Sequence, residues 1–222
     1  ALILVPDFQY KATTQWPGHL TASVINADGS ISSTAAWEFG ANLNNVSPNS
    51  RYIWTAAPSI PVNTSSTPNN FTTSNLSPLS SAMGDSTSLT TQLINFIRGY
   101  DAFDENANGS TTDTRWKLND IYNSKPIYVA QPEQSITTDP NFVGGKEYFY
   151  KLNPSAYTTF LNNTKNRKAM IYVGSNAGVL HAIDADTGNE SWAFIPPPLL
   201  DKLDNIVNTA LPNSTNSIYG VD

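Results

Sequence analysis

Three features of this 222-residue chain predict a mainly β fold, an incomplete or modified β-propeller carrying short helical and long polar loop insertions. Apolar and polar side chains alternate in several separate stretches, the period of half-buried strands. A unit consisting of Gly-x-Leu-x-Ala, a Gly-containing turn and then Trp occurs at residues 18–37 and again at 178–192. Helical or polar excursions separate the β stretches, which a plain sandwich with tight turns would not show. The length suits one domain spanning 1–222, and a chain of this size buries roughly 70% of its unfolded surface.

The opening Ala1-Leu-Ile-Leu-Val-Pro is too short for a signal core, has no basic leader and does not start with Met. A processed product or a fragment of something longer is therefore expected. Leu20, Ala22 and Val24 alternate along a strand that ends at the turn signal Asn26-Ala-Asp-Gly29. A second strand is expected at Arg51-Tyr-Ile-Trp-Thr55. Residues 57–87 hold Pro61, Pro68 and Pro78 among Asn, Ser and Thr, and read as a long polar surface insertion. Ser86 then opens a helix with Leu89, Leu93, Phe96 and Ile97 on one face, and Gly99 closes it. Strands return at Ile127–Ala130 and Ala169–Val173, with a short helix from Pro154 to Leu161 between them. After Pro196-Pro-Pro198, the residues Leu199, Leu200, Leu203, Ile206 and Val207 mark a second amphipathic helix.

Only 14% of residues are charged, against roughly 25% in average soluble domains, and the net charge is −6. With no basic stripe to neutralise phosphates, nucleic acid is not an expected partner. No stretch reaches the ~18 apolar residues that cross a bilayer. The absence of cysteine removes disulfides, thiolate metal sites and cysteine nucleophiles. Asn, Ser and Thr replace the missing charge, as suits an exported surface protein whose loops hydrogen-bond to themselves.

The two copies of the repeated unit start 160 residues apart. Physically each is a strand entered through Gly, a tight turn, and a return strand whose Trp packs over a neighbouring unit. Such units cannot bury their apolar faces alone and stack radially in propellers, at about 40–50 residues per blade, so the wide offset implies insertions.

A more specific signal lies in Ala169-Met-Ile-Tyr-Val-Gly-Ser-Asn-Ala-Gly-Val-Leu-His-Ala-Ile-Asp-Ala-Asp-Thr-Gly-Asn-Glu-Ser-Trp-Ala-Phe-Ile-Pro-Pro197, together with Arg115-Trp-Lys-Leu-Asn-Asp-Ile-Tyr-Asn-Ser-Lys-Pro126. With Asn95-Phe-Ile-Arg-Gly-Tyr100, these resemble the type IV pilus tip-associated adhesins (the PilY/PilC group). Ala177 stands where that family often has Asp, and Asn119 where it often has Gly. The resemblance implies the N-terminal part of the family's C-terminal β-propeller module, with Tyr219-Gly-Val-Asp222 starting a further blade. It also implies a non-enzymatic adhesin and assembly factor at the cell surface, pilus tip or outer membrane. Partners would be other pilus components such as minor pilins, the remainder of its own propeller, and host surfaces or glycans.

The best site candidate is the segment 101–115, read as a calcium loop. Asp104, Asn106 and Asn108 occupy alternate positions, Gly109 follows, and Ser110 and Asp113 come next. Calcium takes six to eight oxygen ligands on a sharply turned loop, and Asp-x-Asn-x-Asn-Gly supplies that beginning. The twelfth position, where an EF-hand has Glu, is Arg115, so Asp113 would close the shell from position ten. Two formal charges imply weak binding, on the order of 10⁻⁴ M. The same residues also make metal-free Asx turns.

Other constellations read as structural. His19 and His181, the only histidines, fall in strands. Gly174-Ser-Asn-Ala-Gly178 lacks the order of a nucleophile elbow and has no evident acid–base partner. Asp184, Asp186 and Glu190 could pair for glycoside cleavage but more simply flank the Thr187-Gly188 turn. The aromatics Trp16, Trp37, Tyr52 and Trp54 could stack on sugars, though most are expected in the core. Two alternatives stay open. One is a fragment of a quinoprotein dehydrogenase, whose tryptophan-docking blades resemble Ala182-x-Asp184-x-x-Thr-Gly188-x-x-x-Trp192; the other is a carbohydrate-binding extracellular module.

Overall fold

The computed structural model of the chain describes residues 1–57, 60, 69–132 and 154–221. Two sheets carry the architecture. The first is antiparallel, in the order β1 (Leu2–Phe8), β2 (Gly18–Ile25), β3 (Ile31–Glu38). The second has five strands in the order β4-β8-β7-β6-β5, with β4 (Ile53–Thr55) parallel to β8 (Glu190–Ile195). In it β5 (Ile127–Val129), β6 (Met170–Ser175), β7 (Val179–Asp184) and β8 pair antiparallel in succession. The helices are α1 (Phe39–Asn44), α2 (Leu76–Met83), α3 (Thr87–Arg98) and α4 (Pro154–Thr164). Among the described residues no helix is long and apolar enough to cross a membrane.

Alternation in β2 works as the sequence implies: Leu20 and Ala22 are fully buried, while Val24 lies beyond the covered part of the strand and is exposed. Ser86 caps α3 by accepting a hydrogen bond from the Leu89 amide, and Leu93, Phe96 and Ile97 are buried, with Leu89 packed beside them. Within the polar stretch 57–87, Pro61 and Pro68 lie outside the described residues, and Pro78 sits inside α2, which buries Leu79 and Met83. The apolar segment after the prolines is a 3₁₀ helix, Pro197–Ile206, rather than an α-helix. Its buried residues are Leu200, Leu203 and Ile206, a period of three that eclipses on a 3₁₀ helix, and the adjacent prolines supply no amide donors.

Two apolar cores result. One packs α2, α3 and the 3₁₀ segment against Ile53, Val179, Ala193 and Ile195. The other joins Leu20, Ala22, Trp37 and the α1 residues Phe39 and Leu43 to Ile171, Val173 and Ile183. The five-stranded sheet contributes to both. The repeated units are antiparallel hairpins, β2–β3 and β7–β8. Trp37 of the first lies over the turn of the second, where its indole N–H donates to the Ala185 carbonyl at 3.1 Å. Gly188 of that turn has φ +69°, and a Cβ there would come 2.5 Å from the indole, so only glycine satisfies both the backbone and the contact.

Candidate functional site

The segment 101–115 leaves α3 and is pinched at its neck. The Asp101 amide donates to the Asp113 carbonyl at 2.7 Å and the Arg115 amide to the Gly99 carbonyl at 2.9 Å. The Asp101 carboxylate accepts the Glu105 and Asn106 amides at 2.7 and 3.2 Å and so fixes the first bend. Asp104 and Ala107 take positive φ values of 53° and 56°, and Gly109 takes 83°. This run of left-handed residues turns successive amides inward.

The five side chains singled out in the sequence come together here. Asp104 Oδ1 accepts the Asn108 amide at 2.9 Å, and both Asp104 oxygens accept the Gly109 amide at 3.1 Å. Asn106 Oδ1 accepts the same Asn108 amide at 3.1 Å. Asn108 Nδ2 and Ser110 Oγ donate to the two oxygens of Asp113 at 2.6 and 2.9 Å, and these bonds hold the Asp113 carboxyl below the usual carboxylate range. Two carboxylates, two side-chain amides and a hydroxyl carry the oxygens a hard cation takes, but here Asn108 turns its Nδ2 to Asp113 while its Oδ1 accepts the Ser110 amide at 2.8 Å. The charge is low: among the described residues no three acidic or histidine side chains are grouped to hold an ion. Arg115, at the twelfth position, turns away to pair with Glu105 at 3.3 Å and lies 3.9 Å over the Phe96 ring.

A partner from outside the loop was not legible in the sequence. Asn213 Nδ2 donates to the Asp104 carbonyl at 2.9 Å and to Asp104 Oδ2 at 2.7 Å. The Thr215 hydroxyl bonds Glu105 and accepts the Gln15 amide. These contacts span more than a hundred residues, and no local pattern announces them.

The second finding corrects the view that Ser175 lacks an acid–base partner. Its hydroxyl lies 3.0 Å from His181 Nε2, and His181 Nδ1 lies 2.8 Å from Glu190 Oε1. Glu190 is bidentate to Arg51 at 2.8 and 2.9 Å, and Arg51 also donates to the carbonyls of Ile97 and Arg98 at the end of α3. Burial pushes the His181 imidazole down, only partly offset by Glu190. Burial alone would raise Glu190, but Arg51 and His181 outweigh it and hold the carboxyl at about 2. Neutral His181 thus donates from Nδ1 and accepts at Nε2. Ser175 and His181 are each 1% exposed, so no substrate reaches the hydroxyl, and the group is a polar junction between the two cores. Glu190 is not part of the turn's carboxylate pair: Asp184 caps the turn through the Asp186 and Thr187 amides and pairs with Lys168. His19 stands half-buried on β2 beside Glu38 and Trp116.

Of the aromatics considered for sugar stacking, Trp37 is buried, whereas Trp54 packs on Phe194 and Trp192 and Tyr52 is exposed. Trp16 lines a cleft of about 210 Å³ with Asp120, Tyr122, Asn176, Ser217 and Tyr219.

Comparison with known proteins bears out the resemblance read from the motifs. A type IV pilus biogenesis factor PilY1 homolog of Xylella fastidiosa is 38% identical over 116 residues, which is 52% of this chain and 9% of that protein. The type IV pilus biogenesis factor PilY1 of Pseudomonas aeruginosa is 27% identical over 229 residues, covering 95% of this chain and 17% of its own length. The chain therefore spans less than a fifth of the length of these curated relatives. No protein-family model matches the chain, and no solved structure does.

Proposed function

We propose, from the similarity to the PilY1 proteins, that this chain is part of an exported type IV pilus-associated adhesin and assembly factor that presents or regulates the pilus tip. The carrying observation is the relation to a pilus biogenesis factor across 95% of the chain. The role is structural and adhesive rather than enzymatic. In this reading its two sheets are blades of a modified propeller, supported by the seating of Trp37 on the Gly188 turn, a contact between the two repeated hairpins. Minor pilins and the rest of the propeller are the partners this reading names.

The 101–115 loop is the regulatory element, with Asp104, Asn106, Asn108, Ser110 and Asp113 as the residues that would hold calcium. A bound cation would supply positive charge that fixes the loop in one shape, and binding to the folded state alone raises stability by mass action. The loop's own part is to favour the ionised form of Asp113 through the Asn108 and Ser110 donors and to hold the Asp104 oxygens by backbone amides.

Thermal melting with and without millimolar calcium tests the loop. The native chain should gain stability, and Asp104→Asn and Asp113→Asn should each abolish the gain. Asparagine tolerates the positive φ of Asp104, so charge rather than backbone is probed. An equal rise in both variants would remove the loop as the site. In cells, the same substitutions in the full-length protein should alter surface pilus number or attachment in a calcium-dependent way; unchanged piliation and attachment after deletion of the whole segment would refute the pilus reading itself.

A further inference from the structure

The cleft beside Trp16 has a composition that the loop and the buried junction do not use. Asp120 and Asn176 are buried and form its inner wall, while Tyr122 and Tyr219 are exposed, Tyr219 by 81%, and form its rim. Ser217 adds a hydroxyl. The inner wall is rigid: Asn176 Nδ2 donates to Asp120 Oδ2 at 2.6 Å, the Asn176 amide donates to the Asp120 carbonyl at 3.0 Å, and the Gly220 amide donates to Asn176 Oδ1 at 3.2 Å. Trp16 is equally fixed, because its indole N–H donates to the Lys11 carbonyl at 2.9 Å and Phe8 stacks on it at 5.2 Å with planes 12° apart. Tyr10 meets the same indole edge-on.

Three aromatic rings at the mouth and amide, carboxylate and hydroxyl groups within suit a ligand with one apolar face and several hydroxyls. We infer that this cleft binds a neutral hexopyranose, the terminal or exposed ring of a glycan, by stacking on Tyr122, Tyr219 and Trp16 while its hydroxyls meet Ser217 and the Asp120–Asn176 wall. Size supports a single ring, since about 210 Å³ is below the ~300–1,000 Å³ of pockets that hold drug-sized ligands. Charge selects against acidic sugars: the lining contains Asp120 and neither Lys nor Arg. A proline-rich peptide would need an open aromatic groove rather than a polar inner wall. The inference rests on the cleft alone and is independent of the calcium loop.

The test is an NMR titration of the 222-residue chain with methyl glucoside, galactoside and mannoside, and with glucuronic acid as the anionic control. At least one neutral glycoside should bind saturably with a Kd on the order of 1 mM, the affinity expected for a ligand of one ring. Tyr219→Ala and Tyr122→Ala should weaken it by roughly fivefold or more in at least one case, with melting temperature unchanged for Tyr219→Ala, whose side chain is exposed. Tyr122 also packs on Phe8 at 5.8 Å, so Tyr122→Phe, which keeps that contact, is its folding control. Absence of saturable binding by all three glycosides, equal or tighter binding of glucuronic acid, or full affinity in both alanine variants would each overturn the proposal.

Discussion

Glu190 shows how one charge decides much in a chain that has few. Its carboxylate receives two N–H groups of Arg51 and the Nδ1–H of His181, and the side chains of all three are buried. Removing one partner of such a pair strands the other, at a cost of ~3–5 kcal/mol. Glu190→Gln keeps the shape and loses the charge, so its urea midpoint should fall by that order, and a loss below ~1 kcal/mol would contradict a desolvated pair. The pH dependence has a definite sign. Glu190 is held at about 2 against an ordinary 4.5, and His181 is pushed below 6.5, so across this range the folded state binds fewer protons than the unfolded chain. Stability is therefore fully present above pH 6.5, begins to fall below it, and falls further from 4.5 toward about 2. A melting temperature flat from pH 7 to 3 would refute this ordering of protonation.

At the scale of elements, the contact between hairpins makes a paired prediction at two glycines. Gly188→Ala adds a methyl 2.5 Å from Trp37 at φ +69°, so overpacking and backbone strain combine to roughly 2–4 kcal/mol. Gly29→Ala, at φ +85° in open space, meets only the backbone term of ~1–2 kcal/mol. Denaturant midpoints should separate the two, and equal losses would mean that Trp37 is not seated on the turn. The hairpins, α3 with its Ser86 cap, and the five loop residues were legible in sequence because each is a local pattern: a period of two, a period of 3.6, or alternating oxygens before glycine. The helix after the prolines was legible but its 3₁₀ form was not, because Leu199 and Val207 fill out the apolar pattern although folding leaves them only half-buried, while Leu200, Leu203 and Ile206 carry the packing. Arg51, His181 and Glu190 were missed as a unit because Arg51 lies in the connection before β4 while His181 and Glu190 lie on β7 and β8. The available signal was charged and imidazole side chains inside apolar runs, such as Arg51-Tyr-Ile-Trp and Val179-Leu-His-Ala.

Across the whole molecule, the segment after the 3₁₀ helix joins the two candidate sites. Asn213 holds Asp104, Thr215 holds Glu105 and the Gln15 amide, and Gly220 and Val221 reach Asn176 and Ser175. Ser217 and Tyr219 lie between these anchors and line the cleft. One end of the cleft wall is thus tied to the first oxygen position of the loop. Asp104 Oδ2 now accepts an N–H of Asn213, a donor that a cation at this carboxylate would repel. Half a turn of the Asn213 amide presents Oδ1 instead, adding an oxygen to a loop that has too few and leaving the segment more firmly held. Two expectations follow from that exchange. Asn213→Asp, with one more negative charge, should move the calcium midpoint of the melting rise to a roughly tenfold lower concentration, the equivalent of about 1.4 kcal/mol, while Asn213→Gly moves it upward. Glycine suits the positive φ at this position, so the second variant deletes the tether without strain. Calcium should also tighten glycoside binding in the native chain, and this gain should vanish in Asn213→Gly, because an ordered wall costs the ligand less to bind. A calcium midpoint identical in all three chains would separate loop from segment. A glycoside affinity indifferent to calcium, with the midpoint shifts intact, would leave Asn213 as a loop ligand and dissolve only the link to the cleft.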